Sequence, residues 1–209
     1  MNAQTVPSPG HLILNDVRAS YLYVHEAYIS PPTPQNPRPK PVFTGHFLMT
    51  PNHPDLPKIA AAIEAVGAAK WRDQWPAVKA ALKGQDRLCL HKGDITKAGK
   101  PEYAGLFYLG ASNERRPTVV DGDRTPLTNA DGRPYSGCYV NAIVEIWAMD
   151  NQFGKRINAT LTGVQFVRHG DAFSAGPRAA APEEFGVVAP TGVDAAAPAA
   201  AVDATGGLL

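Results

Sequence analysis

The sequence is poor in the residues that build several common kinds of functional site. Its 209 residues include only two cysteines, Cys89 and Cys138, too few for a disulfide framework or a zinc site. Its six histidines are scattered, without the spacing of a zinc-binding helix. The first ten residues lack a basic segment followed by an apolar run, so no secretory signal is evident. We therefore expect a reduced, intracellular protein that uses no metal or other cofactor.

Long apolar runs and a phosphate-binding loop are also missing. The segment "AAAIEAVGAA" is too short and too interrupted to cross a bilayer, so we expect no membrane partner. The segment "GDITKAGKP" has one residue too many between its glycines, and a proline stands where Ser or Thr would hold magnesium. These absences argue against membrane proteins and against nucleotide hydrolases.

The net charge of +1 conceals two segments of opposite sign. Residues 171–209 hold five carboxylates and one arginine, whereas residues 1–170 hold 19 basic and 14 acidic side chains. A basic body favours a polyanionic ligand, and an acidic tail would compete for the same surface or recruit partners. The tail is rich in Ala, Pro and Gly and has too few large apolar residues to offset the entropy of ordering. We predict a folded domain over 1–170 and a disordered acidic tail over 171–209.

The pattern of the folded part is mainly that of β-strands, with one helical region. Strands are predicted at 11–28, 41–50, 87–90, 102–112, 135–150 and 155–169. Apolar residues at helical spacing follow a predicted N-cap at Asp55 and indicate one broken helix or two helices over 56–82, with Trp71 and Trp75 in the core. The proline-rich segment 30–41 predicts an extended loop, and "DNQFGK" predicts a hairpin turn. These elements predict a small closed or partly open β-barrel with a helical insertion.

The strand "YSGCYVNAIVEIWAMD" has two chemically different faces. Alternation directs Cys138 and its apolar neighbours at even-numbered positions inward, where a thiol acts as a small hydrophobe rather than a nucleophile. The opposite face carries Tyr139, Trp147 and the unexplained Glu145, and the next strand adds Arg156. Exposed rings stack on bases and cations contact phosphates, so this face suits single-stranded nucleic acid. In the strand 102–112 alternation leaves open which face would meet a ligand.

The sequence also permits two other interpretations. Asp121, Asp123 and Glu145 supply three carboxylates, the raw material of a metal-dependent nuclease, although Asp-Gly pairs also build turns. The second interpretation is a virion or assembly protein with a β-sandwich, which would show no salt-dependent affinity for DNA.

Several segments, taken in order, resemble the single-stranded DNA-binding proteins of tailed bacteriophages. They are "VRASY", "EYAGLFYLGASN", "RRPTVVDGD", "YSGCYVNAIVEIWAMDNQFGKRI", "LTGVQFVRHGDAF" and "PEEF". The resemblance covers about residues 10–185 and implies an oligonucleotide-binding (OB) barrel of five strands. It also implies a protein without catalysis that coats single-stranded DNA during phage replication and recombination in the bacterial host cytoplasm.

The resemblance and the charge pattern together give a set of predicted functional residues. The predicted nucleic-acid-binding residues are Lys92, Tyr103, Phe107, Tyr108, Arg115, Arg116, Tyr139, Trp147, Lys155 and Arg156. The acidic-aromatic residues Glu183, Glu184 and Phe185 are expected to dock a phage polymerase or helicase, although 24 further residues follow them here. The sequence leaves open a homodimer, and it leaves open RNA as the ligand.

Overall fold

The computed structural model describes residues 8–34 and 36–173, which form a β-barrel with a helical insertion. The strands are β1 (His11–Tyr28), β2 (Val42–Met49), β3 (Leu90–Lys92), β4 (Phe107–Asn113), β5 (Thr118–Val120), β6 (Tyr139–Asn151) and β7 (Gly154–Arg168). The helices are α1 (Leu56–Trp71), α2 (Trp75–Gly84) and the single turn α3 (Gly93–Thr96). In this part of the chain no helix is long and apolar enough to span a bilayer. The predicted docking tip at Glu183, Glu184 and Phe185 and nearly all of the predicted tail lie outside the described residues.

Five of the strands close into a barrel. β1 pairs antiparallel with β2 and β6, β2 with β4, and β6 with β7. A parallel bridge between Ser112 of β4 and Thr160 of β7 completes the circle. The short strands β3 and β5 extend the sheet beside β4 and β7. The predicted mainly β fold, an OB-type five-stranded barrel with a helical insertion, is confirmed.

The alternation predicted for β6 is confirmed by its burial. The side chains of Cys138, Val140, Ala142, Val144 and Ile146 are buried, and Ala148 is half-buried. Burial raises the pKa of both cysteine thiols, that of Cys89 to about 12. Because the thiolate is the nucleophile, neither buried cysteine is suited to nucleophilic catalysis.

The helical insertion packs on the barrel through its two tryptophans. Trp71 and Trp75 are buried and stack with their ring centroids 5.6 Å apart, as predicted from their helical spacing. The Trp71 indole donates a 2.8 Å hydrogen bond to Asp150. Asp55 does stand at the N-cap position, but its carboxylate does not cap the helix and accepts instead from the Asn15 backbone N–H at 2.8 Å. The Asp55 carboxylate therefore links the start of α1 to β1 by a hydrogen bond.

Replacing Gly67 in the middle of α1 with alanine is expected to destabilise the protein. Alanine normally stabilises a helix interior over glycine by about 1 kcal/mol. A Cβ at Gly67, however, would lie 2.5 Å from ring atoms of the buried Trp75, and such overpacking costs about 1–3 kcal/mol. Gly84 is the matched control, since a Cβ there meets nothing within 4 Å. Urea unfolding should show Gly67→Ala less stable than wild type and Gly84→Ala equal or more stable; equal stability of both variants would contradict the packing.

Three predicted strands begin later than the sequence pattern indicated, and the one predicted at 135–150 begins at Tyr139. The strand predicted at 102–112 starts at Phe107, because Pro101–Tyr103 forms a 3-10 turn and Gly105 adopts φ +69°. The strand predicted at 87–90 is found at Leu90–Lys92. The preceding segment links two barrel strands instead: Gly110 N–H donates to Cys89 O at 2.9 Å and Ile157 N–H donates to Arg87 O at 3.1 Å.

The folded body continues slightly beyond residue 170. The Arg18 guanidinium lies 4.2 Å from the centre of the Phe173 ring and donates a 3.0 Å hydrogen bond to the Asp171 carbonyl. Residues 171–173, which the sequence assigned to the tail, therefore pack against β1.

Candidate nucleic-acid interface

A groove of about 500 Å³ runs between the segment 86–91 and the β6–β7 hairpin. Its lining combines two exposed aromatic rings with charged and polar side chains: Trp147, Phe153, Arg87, His91, Arg156, Asn158, Thr160 and Asp86, whose carboxylate is 2.7 Å from His91 Nδ1. Trp147 is 41% exposed and Phe153 is 73% exposed, which is unusual for rings of this size. Rings with one free face beside cations are suited to hold the bases and phosphates of a single strand.

The β6–β7 hairpin positions the two exposed rings. Trp147 stands opposite Asn158, and its indole N–H donates a 2.9 Å hydrogen bond to the Thr160 hydroxyl. Phe153 lies in the two-residue turn between β6 and β7, where Gly154 adopts φ +98° and the predicted hairpin turn is confirmed. The turn places the Phe153 ring at the groove, and the hydrogen bond to Thr160 holds the Trp147 ring there.

Only two of the ten predicted binding residues, Trp147 and Arg156, line this groove. Alternation along β6 and β7 was sufficient to identify both. Sequence reasoning missed Phe153, Arg87 and His91. The exposed aromatic inside "DNQFGK" was the available signal for Phe153, whereas Arg87 and His91 join the groove only through the barrel's closure.

The predicted roles of Tyr103 and Tyr108 as base-stacking residues need correction. Both rings are buried. Tyr108 lies between two histidine rings, with centroids 4.7 Å from His46 and 4.9 Å from His91. The Tyr103 hydroxyl is 2.8 Å from His46 Nδ1. Neither tyrosine presents a free face on which a base could stack.

Lys155 and Tyr139 also lie elsewhere than predicted. Successive strand residues point to opposite faces, so Lys155 points away from Arg156. Its ammonium pairs with Asp150 at 3.1 Å. The Tyr139 ring is covered by the Arg168 guanidinium, 3.3 Å from the ring centre. Neither side chain reaches the Trp147 groove, so a DNA contact at Lys155 or Tyr139 stays a prediction that this groove does not explain.

The remaining predicted cations and Phe107 lie outside the Trp147 groove. Lys92 stands opposite Phe107, and the two line a separate apolar groove of about 440 Å³ beside α1 and α2. Arg115 and Arg116 are exposed in the loop between β4 and β5. The structure thus scatters the ten predicted residues over several separate regions and brings only Trp147 and Arg156 together in this groove.

The three carboxylates of the nuclease interpretation have separate partners. Asp121 accepts a 2.7 Å hydrogen bond from Arg133, which lowers the pKa of the Asp121 carboxyl. Asp123 accepts from the Thr125 backbone N–H at 2.8 Å. Glu145 accepts from Ser8 and lies 3.5 Å from His11, which explains its presence on β6. Within residues 8–34 and 36–173 no cluster of three such side chains could hold a metal, so this interpretation is contradicted.

Acid is expected to destabilise the barrel through His46. Burial lowers the pKa of His46 to about 4, assisted by the charges of Lys97 and His91. Between the ordinary value of 6.5 and about pH 4 the unfolded chain binds the proton that the folded chain does not, so stability falls as the pH falls. The loss from this group approaches about 3 kcal/mol at pH 4. Urea unfolding at pH 7 and pH 4 should show a smaller loss for His46→Gln; the same loss as in wild type would contradict this role.

A family model and a known phage protein each match most of this chain. The model of the family described as "Enterobacter phage Enc34, ssDNA-binding protein" matches residues 10–195. Protein p50 of Acyrthosiphon pisum secondary endosymbiont phage 1 is 41% identical over 175 residues, covering 82% of this chain and 90% of that protein.

Solved structures of phage proteins share the fold. The single-stranded DNA-binding protein of bacteriophage Enc34 in complex with ssDNA is 25% identical, with a TM-score of 0.65 over 80% of this chain and 91% of that one. The gp2.5 single-stranded DNA-binding protein of bacteriophage T7, at 13% identity, resembles this chain in fold, with a TM-score of 0.53 over 86% of this chain and 98% of that one. The matched family and the Enc34 structure are those of single-stranded DNA-binding proteins, which are not enzymes. The chain belongs to the family of phage single-stranded DNA-binding proteins represented by that of Enterobacter phage Enc34.

Proposed function

We propose that this chain coats and protects single-stranded DNA during phage DNA replication and recombination in the host cytoplasm, and that bases stack in the Trp147 groove. The observation that carries the proposal is the placement of two exposed rings, Trp147 and Phe153, beside Arg156 in one groove. The similarity to an Enc34 protein solved in complex with ssDNA supports it. Stacking on a ring is open to every base, so the binding would tolerate any sequence.

A salt titration with single- and double-stranded oligomers of one length tests this function. The groove recognises unpaired bases by stacking and phosphates by charge, so the single strand should bind more tightly at every salt concentration. The logarithm of the affinity should fall linearly with the logarithm of the salt concentration. Equal affinity for both oligomers, or binding that salt does not change, would contradict the proposal. A single-stranded RNA oligomer in the same series measures the preference for DNA.

The acidic residues after 173 are proposed to weaken DNA binding and to recruit a partner. Four carboxylates and one arginine lie in 174–209, and net negative charge on the same chain lowers the potential that attracts phosphate. Truncation after residue 173 keeps the packed Phe173 and should tighten binding several-fold at low salt, with a smaller gain at high salt. Unchanged affinity at low salt would contradict the electrostatic role.

Partner recruitment by the same segment has a separate test. Glu183, Glu184 and Phe185 combine carboxylates with one aromatic, a pattern suited to docking a phage polymerase or helicase. A pull-down of the polymerase and helicase encoded by the same phage should fail with Phe185→Ala. Recovery of both enzymes with this variant would contradict the docking role of the aromatic.

A further inference from the structure

A second pair of exposed aromatic rings lies on β1, outside the Trp147 groove. Tyr23 and Tyr28 are each 37% exposed, and their rings stack with centroids 4.8 Å apart and an interplanar angle of 26°. Stacked rings normally occur where the protein buries them, as Trp71 and Trp75 are. Here the stack is presented to solvent.

An irregularity in β1 brings these two rings together. In a regular strand, residues five positions apart point to opposite faces. Tyr23 stands opposite Thr44 and Tyr28 opposite Val42, so five steps along β1 match two steps along β2. Extra residues of this kind re-aim side chains and are frequent beside functional sites. The irregularity turns both tyrosines to the outside.

A row of outward-facing residues connects the Tyr23–Tyr28 pair with the Trp147 groove. Tyr23 stands opposite Thr44, Thr44 opposite Ser112, and Ser112 opposite Thr160. Directly opposed residues share a face of the sheet, and Thr160 accepts the hydrogen bond of Trp147. Three strand spacings of about 4.8 Å separate β7 from β1, a path of about 14 Å. The side chains along it are small and hydroxylic, which leaves room for a nucleic acid backbone.

Basic side chains lie beside the tyrosine pair. An Arg116 guanidinium nitrogen is 3.2 Å from His25 Nδ1, two residues along β1 from Tyr23. Arg115 is exposed next to it. Two acids lie near: Lys40 neutralises Glu114 at 3.0 Å, and the Asn129 amide donates a 3.0 Å hydrogen bond to Glu26. Tyrosine rings with arginines at their side repeat the chemistry of the Trp147 groove.

We propose that Tyr23 and Tyr28 form a second base-stacking platform for the same DNA strand, with Arg116 as its phosphate contact. This inference rests on the proposed function, since it extends the path of the strand from Trp147 across β7, β4 and β2 to β1. At 3.4 Å per stacked nucleotide, the 14 Å path corresponds to about four nucleotides. A strand short enough to fill only the Trp147 groove would therefore not reach the tyrosines.

Oligomer length separates the two platforms experimentally. Affinity is measured, by competition where it is weak, for oligothymidines of about 3 and about 15 nucleotides, the first shorter than the four-nucleotide path and the second close to the largest footprint of one OB fold. The double variant Tyr23→Ala, Tyr28→Ala should lose about tenfold or more on the long oligomer and nothing on the short one. Trp147→Ala should weaken the binding of both. The double variant Tyr23→Phe, Tyr28→Phe keeps the rings and should bind like wild type, and wild-type binding of the short oligomer by the double alanine variant shows that this variant is folded.

The outcomes are distinguishable. Wild-type affinity of the double alanine variant for the long oligomer would overturn the second platform and leave the Trp147 groove intact. Equal weakening on both oligomers would also overturn it, because the tyrosines would then act on the groove itself. Failure of wild type to bind either oligomer would overturn the proposed function, and the second platform with it.

Discussion

Replacing Trp147 with alanine is expected to weaken the binding of single-stranded DNA by about 5- to 150-fold. Stacking of a base on an aromatic ring contributes about 1–3 kcal/mol, and 1.4 kcal/mol corresponds to a factor of ten. Trp147 is the larger of the two exposed rings in the groove, and its indole is held in place by Thr160. A mobility shift with labelled oligothymidine measures the loss directly.

Two variants separate the ring from its hydrogen bond. Trp147→Phe keeps a stacking face and should retain most of the affinity, whereas Thr160→Val removes only the 2.9 Å hydrogen bond and should have a small effect. Trp147 is partly exposed, so Trp147→Ala should unfold at nearly the wild-type urea concentration. If Trp147→Ala binds with unchanged affinity and an unchanged salt slope, β6 is not the stacking platform.

Reversing the charge of Arg156 is expected to weaken binding by about tenfold or more at low salt, with a smaller loss at high salt. The guanidinium lies exposed on the groove wall, where it can meet a phosphate, and a carboxylate in its place would repel one. Screening by salt shortens the range of both effects. Titrations of Arg156→Glu at several salt concentrations give the size of the loss and its salt dependence.

The neighbouring lysine provides a matched control for Arg156. Arg156→Gln should reduce the salt slope by about one. Lys155→Gln removes the same charge one residue away, but Lys155 faces the helices and is paired with Asp150. Its affinity and salt slope should remain close to those of wild type. Equal effects of the two substitutions would mean that net charge, and not the groove, determines binding.

Alternation predicted the direction of side chains well where a strand is regular. β6 and β7 pair with register shifts only between 139 and 140 and between 143 and 144, so Trp147 and Arg156 were identified from the sequence. The prediction failed at Tyr103, because Gly105 takes up a positive φ and the strand begins after it. Tyr28 was not predicted as a ligand contact, and the register shifts of β1 between Ser20 and Tyr28 mean that simple alternation does not give its face.

The groove itself could not be predicted from sequence spacing. Its two sides come from the segment 86–91 and from the β6–β7 hairpin, about 60 residues apart in the chain. They meet because β4 and β7 close the barrel and because Ile157 donates its backbone hydrogen bond to Arg87. Similarity to a family implies that the barrel closes. Which residues line the two sides of the groove is determined by the register of these strands.

The most direct test of the Trp147 groove is a map of where DNA cross-links to the wild-type protein. Oligothymidine is cross-linked by ultraviolet light, and the modified peptides are sequenced. We predict cross-links at Trp147 or Phe153, with Tyr23 or Tyr28 added when the oligomer is long. Tyr139 and Tyr135 lie toward the other end of the β6–β7 hairpin, where Tyr139 is eight residues or about 27 Å along β6 from Trp147. Cross-links confined to those two tyrosines would contradict the groove as the DNA-binding site.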